Sequence, residues 1–169
     1  MAIKPIQIVP DPVLRKIAEP VEIITDETKQ MLDDMAQTMY DAPGIGLAGP
    51  QIGALKRLIV MDCSRDDEAD ELWQMINPEI THFSEETALL EEGCLSIPGH
   101  NAEVTRPAWV ELRFLDIKGE AHQIKAEGLL AACVQHEIDH LNGVLFIDHI
   151  SKLKRDIIWR KMLKESRQS

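Results

Sequence analysis

Cysteine, cations and long apolar runs are all scarce in this chain, and each shortage removes a class of protein. Three cysteines in 169 residues are an odd number and too sparse for a disulfide framework. No apolar run approaches the ~20 residues of a membrane span, so insertion into a bilayer is not expected. The opening residues Met1-Ala2-Ile3-Lys4-Pro5-Ile6 lack the charged start and long apolar stretch of a signal peptide. They also lack the Arg/Ser richness of a transit peptide, and a cytoplasmic location is expected, with bacterial cytoplasm favoured. Eighteen Lys and Arg stand against 29 Asp and Glu, a net charge of −11, and direct reading of DNA is not expected. No internal repeat or low-complexity stretch divides the chain. Its length suits one good core, so residues 1–169 are expected to form a single domain that includes the basic stretch 151–169.

What the chain does have is sharper. Gln135-His136-Glu137-Ile138-Asp139-His140 is an H-E-x-x-H signature inside a segment that reads as helix. Residues four apart share a helical face, so His136 and His140 can offer imidazole nitrogens to one ion, with Glu137 placed to exchange protons with a water on it. The leader from Glu127 to Val134 is apolar on every side, which predicts a buried central helix, and Gly143 fits its C-terminal stop. A catalytic centre of this kind usually takes a third protein ligand. The familiar downstream histidine is absent, because Phe146 occupies its frame. Glu165 lies in a cationic tail, and Asp148 and His149 have no motif logic behind them. Upstream, Cys94 stands in Glu91-Glu92-Gly93-Cys94-Leu95-Ser96-Ile97-Pro98-Gly99, a turning or extended segment from which a thiolate can reach a helix-borne pair. An inert core thiol is the competing reading there. Cys133 and Cys63 read as structural.

Three separated segments then resemble the peptide deformylase family. Gly44-Ile45-Gly46-Leu47-Ala48-Gly49-Pro50-Gln51 is similar to its first motif, Glu92-Gly93-Cys94-Leu95-Ser96 to its second, and Gln135 to His140 to its third. Asp11-Pro12 through Pro20-Val21 and His140 through Phe146 resemble flanking segments, so the likeness runs from about residue 5 to residue 153. Gly49 departs from the alanine common at its position, which is expected to loosen that loop. Gly99-His100-Asn101 lacks a basic residue that some members carry.

The resemblance implies a metal-dependent hydrolase removing the formyl group from N-terminal formylmethionine of nascent polypeptides. It implies Cys94, His136 and His140 as ligands of one divalent ion, Fe(2+) expected, with zinc, nickel or cobalt able to substitute. The ion would lower the pKa of a bound water from about 16 toward ~7, and Glu137 would take its proton and pass it to the departing amine. By the same resemblance the Gln51 amide and the Leu95 backbone N–H donate to the formyl oxygen. Gly46 is a backbone contact for substrate, and Ile45, Leu129, Ala132 and Cys133 line the methionine pocket or are simply core. Glu92 is expected to pair with Arg106 and brace the cysteine loop, against the alternative of an exposed carboxylate.

The remaining pattern is α+β: antiparallel or mixed sheets packed around the metal-binding helix, with a C-terminal helix. A short helix is expected over Pro12 to Ala18, and a longer one from Thr25 through Tyr40 with Met31, Leu32, Met35, Ala36 and Met39 inward. Strands are expected over Leu55 to Met61 and Trp109 to Leu115, the latter turning at Lys118-Gly119 into another. Seven Lys/Arg and two acids give residues 151–169 a charge of +5, leaving −16 for the rest. Ser151 is expected to cap a last helix with Leu153, Ile157, Ile158 and Met162 inward. This basic helix is a candidate ribosome-docking element, as in some members of the family. Excising residues 155–169 is then expected to weaken docking and spare hydrolysis.

Overall fold

Side-chain alternation builds most of the sheet. In a computed structural model, which describes residues 2–168, strand β6 (Trp109–Leu115) buries Val110, Leu112 and Phe114 and exposes Arg113. It turns at Lys118-Gly119, where Gly119 has φ +80°, into β7 (Ala121–Glu127). The other strands are β1 (Gly46–Ala48), β2 (Leu58–Met61), β3 (Trp73–Phe83), β4 (Thr87–Cys94) and β5 (Ile97–Pro107). Five of them form an antiparallel sheet in the order β1-β2-β3-β6-β7, and β4 with β5 form a separate antiparallel hairpin. The architecture is the expected α+β.

Helices cover both faces of the larger sheet. Helix α1 (Asp26–Asp41) begins at Thr25, whose Oγ1 accepts the Thr28 N–H, and buries Leu32, Met35, Ala36 and Met39. These pack with Leu47, Leu58, Val60 and Ile76 on one side of the sheet. Helix α2 (Gly128–Leu141) lies on the other side, where Ala131, Val134, Ile138 and Leu141 meet Ala48, Ile59, Met61, Met75, Val110 and Leu112. With both faces covered, β2 is apolar at every position, which is why it reads as an unbroken run. Helix α2 ends at Leu141 with Asn142 as its cap, and Gly143 follows at φ +74°. A Cβ at Gly143 would lie 2.5 Å from the Arg15 carbonyl oxygen, so the stop tolerates no side chain.

A third apolar cluster joins the hairpin to the last helix, α3 (Lys152–Gln168). Ile97 and Val104 pack with Phe146, Ile147, Ile158 and Met162, and Cys94 and Trp159 lean on the same group. Ser151 caps this helix through the Lys154 N–H, as expected. Leu153 and Ile157 do not face inward; they are 72% and 44% exposed. Adjacent helical positions point ~100° apart, and the surface beneath α3 is narrow enough to cover Ile158 and Met162 while leaving Ile157 outside the stripe. Excision of residues 155–169 would therefore strip the core beneath Cys94, and substitutions on the exposed face are the sound way to probe the helix. Two bounds are also shorter than expected: the first helix is a 3-10 turn over Pro12–Arg15, and β2 begins at Leu58.

Gly49 does not loosen its loop. It opens the 3-10 turn Gly49–Ile52, where a Cβ would lie 2.6 Å from the carbonyl oxygens of both Ala54 and Lys56. Backbone cannot yield as a flexible side chain can. Gly49→Ala is expected to lower stability by ~1–3 kcal/mol in urea unfolding; an unchanged midpoint would contradict the packing described.

Candidate metal centre

Cys94 is the last residue of β4, next to a register shift at Gly93, and pairs across a tight turn with Ile97. This turn carries its thiol toward α2, where His136 and His140 stand one turn apart with ring centroids 5.0 Å from each other. Cys94 Sγ lies 3.3 Å from His140 Nε2, and one donor atom from each of the three residues falls within 4.8 Å of the others. Both histidines are buried, at 7% and 1% exposure.

The ring of His136 is oriented from behind. Its Nδ1 lies 3.0 Å from Glu92 Oε1. An ionised carboxylate only accepts, so Nδ1 carries a proton, and in the neutral ring Nε2 is the nitrogen with a lone pair to offer an ion. Glu92 is buried, not exposed: Arg106 forks onto it, Nε to Oε2 at 2.6 Å and Nη2 to Oε1 at 3.0 Å. Burial alone would raise the Glu92 pKa, but His136 and Arg106 outweigh it and hold the carboxyl below its usual range. On the other histidine, burial drives the pKa well below the ordinary value, leaving His140 neutral and able to ligate. For His136, burial also works downward but is outweighed by Glu137, Cys94 and Glu92, and the net shift is upward.

The other ligand candidates are engaged elsewhere. Asp148 pairs with Arg15 at 2.6 Å, His149 with Asp139 at 2.8 Å, and Glu165 Oε1 lies 3.7 Å from His100 on α3's outer side. Phe146, in the frame of the missing histidine, is a buried apolar support stacked near His136 with centroids 6.1 Å apart. A second trio, Asp116, Glu120 and His122, also lies close together. Its central carboxylate is taken up by the Lys118 and Glu120 N–H groups and by His122, which makes it the brace of the β6–β7 turn.

Glu137 points into the same space. It is 3% exposed, and its Oε1 is buried with no partner among the described residues. Burial pushes its pKa up to about 7, with His136 opposing the rise. Beside it opens a cleft of about 650 Å³ lined by Ile45, Gly46, Leu129, Ala132 and Cys133, together with Gln51, Cys94, Leu95, His136 and Glu137. A Cβ at Gly46 would overlap the Glu137 carboxylate and lie 2.9 Å from Cys133 Sγ, so only glycine lets the chain pass here. Gln51 is not an exposed loop residue. It is 1% exposed, its Oε1 accepts the Ala48 N–H at 2.9 Å, and its Nε2 faces Ser96 Oγ at 3.1 Å and Cys94 Sγ at 3.6 Å.

Two residues near the site, Ser96 and Asp139, carry no role in the sequence, and a third, His149, stands there only as a weak ligand candidate. Ser96 is fully buried and holds the Gln51 amide; Asp139 and His149 sit behind Arg106. Serine in a turn and a variable position inside a motif carry no signal of their own.

A thiol and two imidazoles converging beside a buried carboxylate and a cleft, on an α+β scaffold, define a metal-dependent hydrolase. Residues 3–156 match the family model described as polypeptide deformylase. The chain is 54% identical over 167 residues to a peptide deformylase of Rhizobium meliloti, covering 99% of this chain and 96% of that one. It is 55% identical over 171 residues to one of Nitrobacter hamburgensis, covering 99% and 98%. Among solved structures, a peptide deformylase of Ehrlichia chaffeensis in complex with actinonin superposes with TM-score 0.93 at 40% identity, covering 99% of both chains. One from Legionella pneumophila gives TM-score 0.89 at 46% identity, covering 99% of this chain and 97% of that one. The chain belongs to the polypeptide deformylase family, metal-dependent hydrolases that remove the formyl group from the N-terminal methionine of new polypeptides.

Proposed function

We propose that Cys94, His136 and His140 hold one divalent ion, ferrous iron in the native protein, with zinc, nickel or cobalt able to take its place. The observation that carries this is the approach of one sulfur and two ring nitrogens within 4.8 Å. A thiolate with two imidazoles suits both ferrous iron and zinc. The partnerless buried oxygen of Glu137 fits the same reading, since a group held dry and unpaired needs a ligand to face. When bound, the ion supplies Lewis acidity and a strongly acidified water.

The protein residues then divide the work. Glu137 accepts the proton of the attacking water and returns it to the departing amine; a carboxyl raised toward neutrality can do both. Gln51 Nε2, held by its own Oε1 bond to Ala48, and the Leu95 backbone N–H donate to the formyl oxygen as charge grows on it. Gly46 offers backbone to the peptide. Ile45, Leu129, Ala132 and Cys133 receive the methionine side chain. Residues 1–169 act as a single catalytic domain, with α3 as part of it, because Ile158 and Met162 share a cluster with Phe146 and the Cys94 side chain. The setting is the cytoplasm, where formylated nascent chains are made; among the described residues no helix is long and apolar enough to cross a membrane.

Glu137→Gln is expected to bind metal like the parent and to lose ~10²–10⁴-fold in formate release from formyl-Met-Ala. Parent-level turnover in that variant would refute the role given to Glu137.

The basic face of α3 is proposed to dock on the ribosome. Lys152, Lys154, Arg160, Lys161, Lys164 and Arg167 are exposed, on a chain whose other residues carry −16. Reversing Lys154, Lys161 and Lys164 to Glu leaves Ile158 and Met162 in place. Cosedimentation with ribosomes at low salt is expected to weaken ~10-fold or more while hydrolysis of formyl-Met-Ala holds; undiminished cosedimentation would count against docking through this helix.

A further inference from the structure

The guanidinium of Arg106 is occupied on two sides, and only one of them faces the metal centre. Toward the centre it forks onto Glu92, which holds His136. Away from it, Nη1 donates to Asp139 Oδ2 at 2.9 Å, and the same oxygen lies 2.8 Å from His149 Nε2. Asp139 is on α2 between the two histidines of the motif, while His149 ends the 3-10 turn Phe146–His149 and is exposed. A continuous line of hydrogen bonds thus runs from solvent at His149 through Asp139, Arg106 and Glu92 to His136.

Glu92 and Arg106 come from the two strands of one hairpin, so their fork fixes the hairpin only to itself. Asp139 is what ties Arg106 to the metal helix by a second bond. Without it the guanidinium could turn on its stem, and the Glu92 oxygen shared between Arg106 Nη2 and His136 Nδ1 would lose its fixed direction. His149, donating to Asp139, holds that carboxylate against Arg106. No corresponding arm serves His140, whose Nδ1 is buried without a partner among the described residues. The bracing acts on one ligand alone.

We propose that Asp139 and His149 are positioning residues for the hydrolysis, setting through Arg106 and Glu92 the direction and donor strength of His136 toward the ion. Carboxylates behind a ligating imidazole typically change metal affinity by ~10–100-fold; Asp139 and His149 act two and three steps behind Glu92, which puts their effect at the lower end.

The test uses the full chain loaded with cobalt(II). In Asp139→Asn and in His149→Phe, transfer of cobalt to a chelator is expected to quicken ~10-fold. The value of kcat for a formyl-Met tripeptide falls while KM holds, and the His136 Nδ1 proton resonance of the metal-free chain moves upfield. His149→Gln keeps an N–H donor toward Asp139 and is expected to restore parent values. Variants that match the parent in all three readouts would overturn the proposal, and so would lost thermal stability with none of the three changed. Because His149 is exposed, its variants keep the test decisive even if Asp139→Asn does not fold. The inference rests on His136 as a ligand. If that assignment fails, the parent holds cobalt no better than His136→Ala does; if only the bracing fails, the parent holds cobalt and the variants match it.

Discussion

The buried fork between Arg106 and Glu92 is the constraint on which the site depends. It belongs to the β4–β5 hairpin, which is separate from the main sheet and could otherwise shift against α2. Its carboxylate reaches His136 and its guanidinium reaches Asp139, so two positions one turn apart on α2 are tied to the hairpin that delivers Cys94. A buried ion pair adds little net stability, since desolvation offsets much of its attraction. What it fixes is position: the sulfur and the imidazoles come from elements forty-two residues apart in the chain, Cys94 and His136, and must meet within ångströms.

Burial around this fork grades the chemistry. Burial drives the pKa of His140 well below its ordinary value, as the proposed ligand role requires, and raises that of Glu137 to about 7, as the proposed proton transfer requires. The cleft beside them is apolar where a methionine side chain would lie and polar where Gln51 and Glu137 face it. The main sheet supplies the rigid floor: α1 fills one face and α2 the other, so α2 cannot roll and its histidines keep their aim.

Much of the candidate site is legible in the sequence because its signals are local. Four-residue spacing placed His136 and His140 on one face, and Phe146 removed the downstream ligand. Alternation in β6 and the stop at Gly143 gave the surrounding elements. Other features depend on contacts between distant segments and leave no mark in sequence. Gly49 looks like slack in the sequence because nothing near it in the chain shows the carbonyls of Ala54 and Lys56 closing on it. Leu153 and Ile157 fit a core pattern yet lie exposed, because helical spacing does not say how wide a stripe the partner surface covers. Asp139 is silent and His149 offers only a weak ligand candidacy, since the contacts of both come through Arg106 and each other. Glu92 lay between: its place beside Cys94 suggested a brace, and the fold resolved it against exposure.

X-ray absorption on the zinc-loaded protein tests the central claim most directly. The account predicts one sulfur scatterer at ~2.3 Å and two imidazole nitrogens at ~2.0–2.1 Å, with the sulfur contribution lost in Cys94→Ser. A first coordination sphere without sulfur in the parent protein would contradict it.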